Sequence, residues 1–200
     1  MRKNMKRRLI LAAFLLWTAT PAMAAQGTCE NFANTMTKHV VDIFHDTTKN
    51  EAQKREELTK TFKEAVDTDW IGKFVLGRYW KLAKANEQAE YLKTYREYLT
   101  HVYISKFNEE DGMDVTAIKL VSFVPASNGN FEAKTLIQQK DEPDVHADYL
   151  LTEVSGKCQV HDIKVEGVSL LASGRSEFGA LAHASGVHGV VDAMKKKLAN

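Results

Sequence analysis

Apolar residues recur at helical spacing through the first half of the chain and alternate with polar ones through much of the second. Phe32, Met36, Val40, Ile43 and Phe44 fall on one helix face, because residues three and four apart lie above one another on a helix. Leu58, Phe62, Ala65 and Val66 mark a second helix. Thr68 or Asp69 is the expected cap of a third, which carries Trp70, Ile71, Phe74, Val75, Leu76, Tyr79 and Trp80. Asn86 is the expected cap of a fourth, with Glu87 and Glu90 in its first turn, where the helix dipole favours acids. The apolar positions of that helix are Tyr91, Leu92, Tyr95, Tyr98, Leu99, Val102, Tyr103 and Phe107.

Around Asn108 the period changes from helix to strand. Met113, Val115 and Ala117 alternate, Ser127-Asn128-Gly129-Asn130 signals a turn, and Phe131 to Gln139 reads as a strand. After the turn at Glu142-Pro143-Asp144, Val145, Ala147, Tyr149 and Leu151 alternate with His146, Asp148 and Thr152. Ser155-Gly156 turns the chain again. In the next strand the apolar phase shifts from Cys158 and Val160 to Ile163 and Val165, which predicts a bulge near His161-Asp162. Phe178, Leu181, Ala182, Val187, Val190, Val191, Met194 and Leu198 return the chain to helix. The pattern predicts an α+β fold: helices, an antiparallel meander of about four strands, then helices packed on one sheet face. The two aromatic-rich helices carry more apolar surface than one thin sheet needs, as plain core or as the wall of a cavity.

The ends of the chain add a different signal. Arg2, Lys3, Lys6, Arg7 and Arg8 precede an apolar run from Leu9 to Trp17, and Ala22-Met23-Ala24 supplies a small-x-small cleavage pattern. Residues 1–24 therefore read as a secretory signal peptide, and 25–200 as a single domain. The whole chain has formal charge +1; losing those five basic residues leaves −4. That balance argues against nucleic acid, which selects clustered positive charge, and against an anionic membrane surface. No second apolar stretch approaches the roughly 20 residues of a spanning helix, so stable membrane insertion is not expected. Export permits a disulfide between the two cysteines, Cys29 and Cys158; two buried thiols are the alternative.

Catalytic and metal motifs are largely missing. The sequence has no GK[ST] phosphate loop and no H-E-x-x-H. Gly167-Val168-Ser169-Leu170-Leu171 lacks the final glycine of a nucleophile elbow, which leaves an exported esterase using Ser169 as a minor alternative. Ser169 is otherwise expected to satisfy backbone where a strand turns into a helix. His39 and His45 fall on different helix faces, His183 and His188 flank a glycine break, and His146 with Asp148 makes at most a weak pair. No metal site, no catalytic residue and no cofactor is expected.

Two longer segments carry a resemblance. The first runs Val66-Asp67-Thr68-Asp69-Trp70-Ile71-Gly72-Lys73-Phe74-Val75-Leu76-Gly77-Arg78-Tyr79-Trp80, followed by Glu87 and Tyr95-Arg96-Glu97-Tyr98-Leu99. The second runs Val160-His161-Asp162-Ile163-Lys164-Val165-Glu166-Gly167-Val168-Ser169, followed by Arg175-Ser176-Glu177-Phe178 and Gly186-Val187-His188-Gly189-Val190. Together, and in this order, they resemble the MlaC family of periplasmic phospholipid-binding proteins, also called the toluene-tolerance family. One departure is Cys158, which stands where relatives often have Trp.

The resemblance implies a twisted antiparallel sheet and helices around an apolar pocket that holds acyl chains, with the head group at its mouth. It implies a carrier rather than an enzyme, moving phospholipid between an outer-membrane lipoprotein–porin complex and an inner-membrane ABC transporter with its MCE-domain subunit. Such transport maintains outer-membrane lipid asymmetry. Relatives associated with hopanoids make another amphipathic lipid the alternative ligand. On this reading the expected lining is Phe74, Val75, Tyr79, Trp80, Tyr95, Leu99 and Tyr103, facing Tyr149, Leu151, Ile163 and Val165. Arg78, Lys81 and Arg175 are the expected cations for a phosphate head group.

Overall fold

The computed structural model describes residues 21–105 and 115–199. The charged and apolar parts of the expected leader, and the expected pattern positions Phe107, Asn108 and Met113, lie outside the described residues. Helix α1 (Pro21–His45) is followed by α2 (Glu51–Ala65), α3 (Thr68–Leu76), α4 (Arg78–Leu82) and α5 (Ala85–Ile104). Strands β1 (Val115–Pro125), β2 (Phe131–Gln139), β3 (Val145–Val154), β4 (Lys157–Val165) and β5 (Val168–Ser169) come next, and α6 (Leu170–Leu198) closes the order.

The strands form one antiparallel meander in the order β1-β2-β3-β4-β5. Four strands are long, as the alternation predicts. The fifth has two residues, because the turn at Glu166-Gly167 folds Val168 back onto Val165. Cross-strand partners share a face. Ala133, Tyr149 and Ile163 thus stand in one inward row, and Phe131, Leu151 and Val160 in another. Lys134, Asp148 and Lys164 stand in an outward row, where Glu132 accepts from Lys164 Nζ at 2.7 Å.

The phase shift in β4 is a bulge. Leu150 pairs with Asp162 and Leu151 with Val160, so His161 is the extra residue. Without it, Val160 and Ile163 would point to opposite faces, since side chains alternate strictly along a strand.

Helix α1 lies against the inner sheet face with Cys29, Ala33 and Ile43 buried and Phe32, Met36, Val40 and Phe44 packed beside them. Its start is joined to β4 by the Cys29–Cys158 disulfide, with Cα atoms 5.1 Å apart. Met23 and Ala24, at the expected cleavage site, belong to the first turns of α1. Asn50 caps α2 reciprocally with Gln53, each side chain accepting from the other's backbone N–H at 3.0 Å. At the end of α2 the chain leaves the helix at Val66, which bridges to Val160 on β4.

The cap of α3 is Asp67, whose Oδ1 accepts from Trp70 N–H at 3.0 Å, in place of Thr68 or Asp69. Asp69 instead forms a two-pronged ion pair with Arg96 on α5, at 2.5 and 2.8 Å. The expected single helix through Trp80 is broken at Gly77, where φ is +59°. The fourth expected helix begins two residues early, capped at Lys84 in place of Asn86, and Glu87 accepts from Lys84 N–H at 2.7 Å. In α6 the turn at Gly186 has φ +68° and divides the helix into two segments.

Helices α3, α5 and α6 make a layer of their own. Tyr91, Tyr95, Phe178, Val190, Val191 and Met194 are buried together there, and Tyr91 donates to the Gly72 carbonyl at 2.9 Å. A Cβ at Gly72 would lie 2.9 Å from the Tyr95 ring, so glycine permits that close approach. The guanidinium of Arg175 lies 3.0 Å from the Cβ position of Gly77 and donates to the Phe74 carbonyl, which locks the end of α3 to α6.

Two stability outcomes follow from these ties. Replacing Cys29 and Cys158 together by serine is expected to lower the unfolding free energy by about 2–5 kcal/mol, measured by urea denaturation, and reductant should reproduce the loss in the wild-type protein. Gly77→Ala places a side chain at positive φ against Arg175; thermal melts should show a loss of about 1–3 kcal/mol.

Candidate binding cavity

Between the inner sheet face and helices α1 and α2 lies a cavity of about 100 Å³. Helix α1 contributes Phe32, Ala33, Met36, Thr37 and Val40, and α2 with the residue after it contributes Leu58, Thr61, Phe62, Ala65 and Val66. The end of α5 adds Tyr103 and Ile104. The sheet supplies Ile118, Ala133, Thr135, Ile137, Tyr149, Leu151, Val160 and Ile163, one from β1 and the rest from the inward rows of β2, β3 and β4. None of these side chains carries a charge. Thr37 and Thr135 donate their hydroxyl hydrogens to the carbonyls of Ala33 and Ala147, at 2.7 and 2.5 Å. The wall can therefore accept hydrocarbon, while a phosphate or ammonium inside it would be stripped of water without a counter-charge.

Of the expected lining residues, the structure brings Tyr103, Tyr149, Leu151 and Ile163 to this cavity. It places the others elsewhere. Phe74 is exposed, stacked on Trp70 at 5.3 Å between ring centroids, with the Arg175 guanidinium over its ring 4.8 Å from the centroid. Val75 is buried where α3 meets Gly174 of α6. Tyr95 is buried between Tyr91 and Phe178, and Leu99 packs against that same core. Trp80 is half-buried against Tyr91, and Tyr79 is half-buried with its hydroxyl accepting from Arg78 at 2.8 Å. Val165 pairs with Ala147 beyond the end of the lining.

The reason is that α3, α5 and α6 cover one another. Most of their wide apolar faces are used in helix–helix packing, so most of the surplus read from the pattern is core, with Trp70 and Phe74 left exposed. Arg78, Lys81 and Arg175 are exposed and do not line the cavity. The lining residues that sequence reasoning missed are those on α1 and α2, Ile104 on α5, and Ile118, Ala133, Thr135, Ile137 and Val160 on the sheet. For α1 the signal was the stripe Phe32, Met36 and Val40, together with the possible link from Cys29 to Cys158.

Ser169 also has a definite place. It caps α6, with Oγ accepting from Ala172 N–H at 2.9 Å and donating to Asp162 Oδ2 at 2.6 Å. Asp162 Oδ1 accepts from Leu171 N–H at 2.9 Å. The pair ties the last long strand to the last helix and lies outside the cavity lining. His146 and Asp148 stand on the outward sheet face, and no group of three or more metal-capable side chains comes together among the described residues.

The MlaC protein family profile matches residues 32–196. The chain belongs to the MlaC family. Its fold is also similar to that of a phospholipid-binding protein from Ralstonia solanacearum, solved in complex with a phospholipid. That match has a TM-score of 0.67 at 17% identity and covers 88% of this chain and 97% of the other. The shared α+β architecture is thus that of this MlaC-family chain over nearly its full described length. No helix among the described residues is long and apolar enough to cross a membrane.

At the rim of the wall, beside Val160, the bulge residue His161 is buried and stacks on Trp70 at 4.1 Å between centroids. Its Nε2 makes no hydrogen bond among the described residues, and Asp67 Oδ2 lies 3.5 Å away. Burial pulls the imidazole pKa below its usual 6.5, with the Asp67 carboxylate acting in the opposite direction. The unfolded chain therefore takes up this proton first as pH falls. The contribution of His161 is complete above pH 6.5 and declines as pH drops below it, by at most about 1.4 kcal/mol per pH unit. Urea denaturation between pH 7.5 and 5 should show a flatter pH dependence in His161→Gln than in the wild-type protein.

Proposed function

We propose that this chain is a periplasmic carrier of phospholipid, exported by cleavage of residues 1–24 and binding without chemical conversion. The observation that carries this reading is the uncharged cavity between α1, α2 and the inner sheet face of an MlaC-family fold. Acyl methylenes gain about 0.8 kcal/mol each on leaving water, so a sixteen-carbon chain gains on the order of 10 kcal/mol. A bilayer offers the chain a comparable gain, so exchange with a membrane or a membrane protein remains possible. The head group stays outside, because the wall holds no counter-charge for it.

The cavity as it stands is smaller than the roughly 150 Å³ space that holds a benzene molecule in an engineered protein core. Loading an acyl chain therefore moves α1 and α2 away from the sheet. The disulfide holds the Cys29 end of α1, so the other end of that helix travels further. The donor and acceptor of the lipid are the outer-membrane lipoprotein–porin complex and the inner-membrane ABC transporter with its MCE-domain subunit. The consequence of the exchange is maintenance of outer-membrane lipid asymmetry.

The test is to purify the exported protein without detergent and compare native with denaturing mass spectra. A stoichiometric mass increment whose organic extract is phospholipid is expected. A bare mass, unchanged after incubation with phospholipid vesicles, overturns the carrier reading, and a polycyclic lipid in the extract would change the ligand. Ala133 faces the cavity from β2 and is 1% exposed. Ala133→Leu should reduce the bound lipid at least tenfold while the circular dichroism spectrum stays that of the parent.

A further inference from the structure

Residues 25–200 are acidic on balance, yet one stretch of their surface is basic. From Trp70 to Asn86 the chain holds Lys73, Arg78, Lys81 and Lys84 and no Asp or Glu. All four cations are exposed. Arg175 of α6 joins them, with its guanidinium over the Phe74 ring and against Gly77, where α3 gives way to α4. Among the described residues none of these five forms a salt bridge, whereas Asp69, Glu90 and Glu177 of α3, α5 and α6 are engaged by Arg96, Lys195 and Lys197.

The same stretch leaves apolar groups in water. Trp70 and Phe74 are 37% and 38% exposed and stack on each other, and Leu82 is 75% exposed. Cations lie over the neighbouring rings: Lys73 Nζ is 5.7 Å from the Trp80 centroid, and the Arg78 guanidinium 4.9 Å from that of Tyr79. Exposed apolar groups set among unpaired cations fit a partner that is both negative and apolar.

An acidic protein and an anionic bilayer both have that character. Fixed carboxylates are matched best by arginine forks. Three of these five cations are lysines, point charges on flexible stems that can follow mobile phosphates. Tryptophan settles at head-group depth, and basic segments are drawn to anionic lipid. The face also adjoins the cavity, because Trp70 stacks on His161 and the residue before it, Val160, belongs to the cavity wall. Presenting this face to a bilayer brings the cavity to the source of its ligand.

We propose that the basic, aromatic face of α3, α4 and Arg175 docks the protein reversibly on an anionic lipid bilayer, with no helix inserted. The choice of a bilayer rests on the phospholipid-carrier reading.

The experiment measures co-sedimentation of the exported protein with phosphatidylcholine vesicles made with or without phosphatidylglycerol, and its bound lipid by native mass spectrometry. Association with the phosphatidylglycerol vesicles should be about a hundredfold stronger, as three cations at about fivefold each would give. The difference should vanish at about 1 M salt, where charges act over only about 3 Å. Lys73→Gln with Arg78→Gln should weaken this association about 25-fold, and Phe74→Ser should weaken it as well. Lys119→Gln with Lys134→Gln removes the same charge from β1 and β2 and should leave it within about twofold. Equal losses in the two double variants overturn the proposal, since net charge would then be the cause. Equal association of the wild-type protein with both vesicles also overturns it and leaves the face to an acidic protein. Lipid-loaded protein that stays in the supernatant overturns the docking alone; bare protein that neither loads nor sediments overturns the carrier reading with it.

Discussion

The Cys29–Cys158 bond fixes where α1 can lie, and the cavity exists because of where α1 lies. An antiparallel sheet with an apolar inner face must be covered. Here the cover is a helix from the far end of the chain, 129 residues from its partner cysteine. The bond holds one end of that helix to β4 while the stripe Phe32, Met36 and Val40 spans the sheet. Side chains from the two surfaces do not fill the space between them, and the remaining void is the cavity. A free thiol pair would leave the same contact to hydrophobic packing alone, against the conformational entropy of a long intervening chain.

A second junction lies on the same strand. The bulge at His161 returns Ile163 to the inner face and sets the imidazole under Trp70. One residue earlier on the strand, Val160 bridges to Val66 and its carbonyl accepts from Asp67 N–H at 3.2 Å. The junction between α2 and α3 is thus also seated on β4. Val66 and Val160 are themselves part of the cavity wall, so a change at this junction is felt directly by the ligand space. Asp162, next along, holds the start of α6 through Ser169 and Leu171. One nine-residue strand therefore organises α1, α2, α3 and α6.

The chain also separates two apolar tasks. The layer of α3, α5 and α6 packs tightly: tyrosine and phenylalanine rings interlock there, and a missing Cβ at Gly72 lets α5 approach. The layer of α1 and α2 on the sheet leaves a void, and the side chains that line it carry no charge. Burial raises the pKa of Tyr91, Tyr95, Tyr103 and Tyr149 alike, so the phenols stay neutral at any physiological pH. Polar chemistry inside the wall is consequently limited to hydrogen bonds between neutral groups.

Much was legible from the chain alone. Helical and alternating periods located the helices and the four long strands, and the shifted phase around His161-Asp162 announced the bulge. These features are local: each depends on residues within a few positions, whose backbone geometry repeats every 3.6 or 2 residues. Family membership was legible too, in the segments from Val66 to Trp80 and from Val160 to Ser169. Which apolar face would line a cavity was not. Phe74, Val75, Tyr79, Trp80, Tyr95 and Leu99 have the same composition whether they meet lipid or another helix. The outcome depended on α5 and α6 packing against α3, and on α1 being drawn across the sheet. An apolar stripe records that a side chain leaves water; only the tertiary pairing of distant elements decides what it meets.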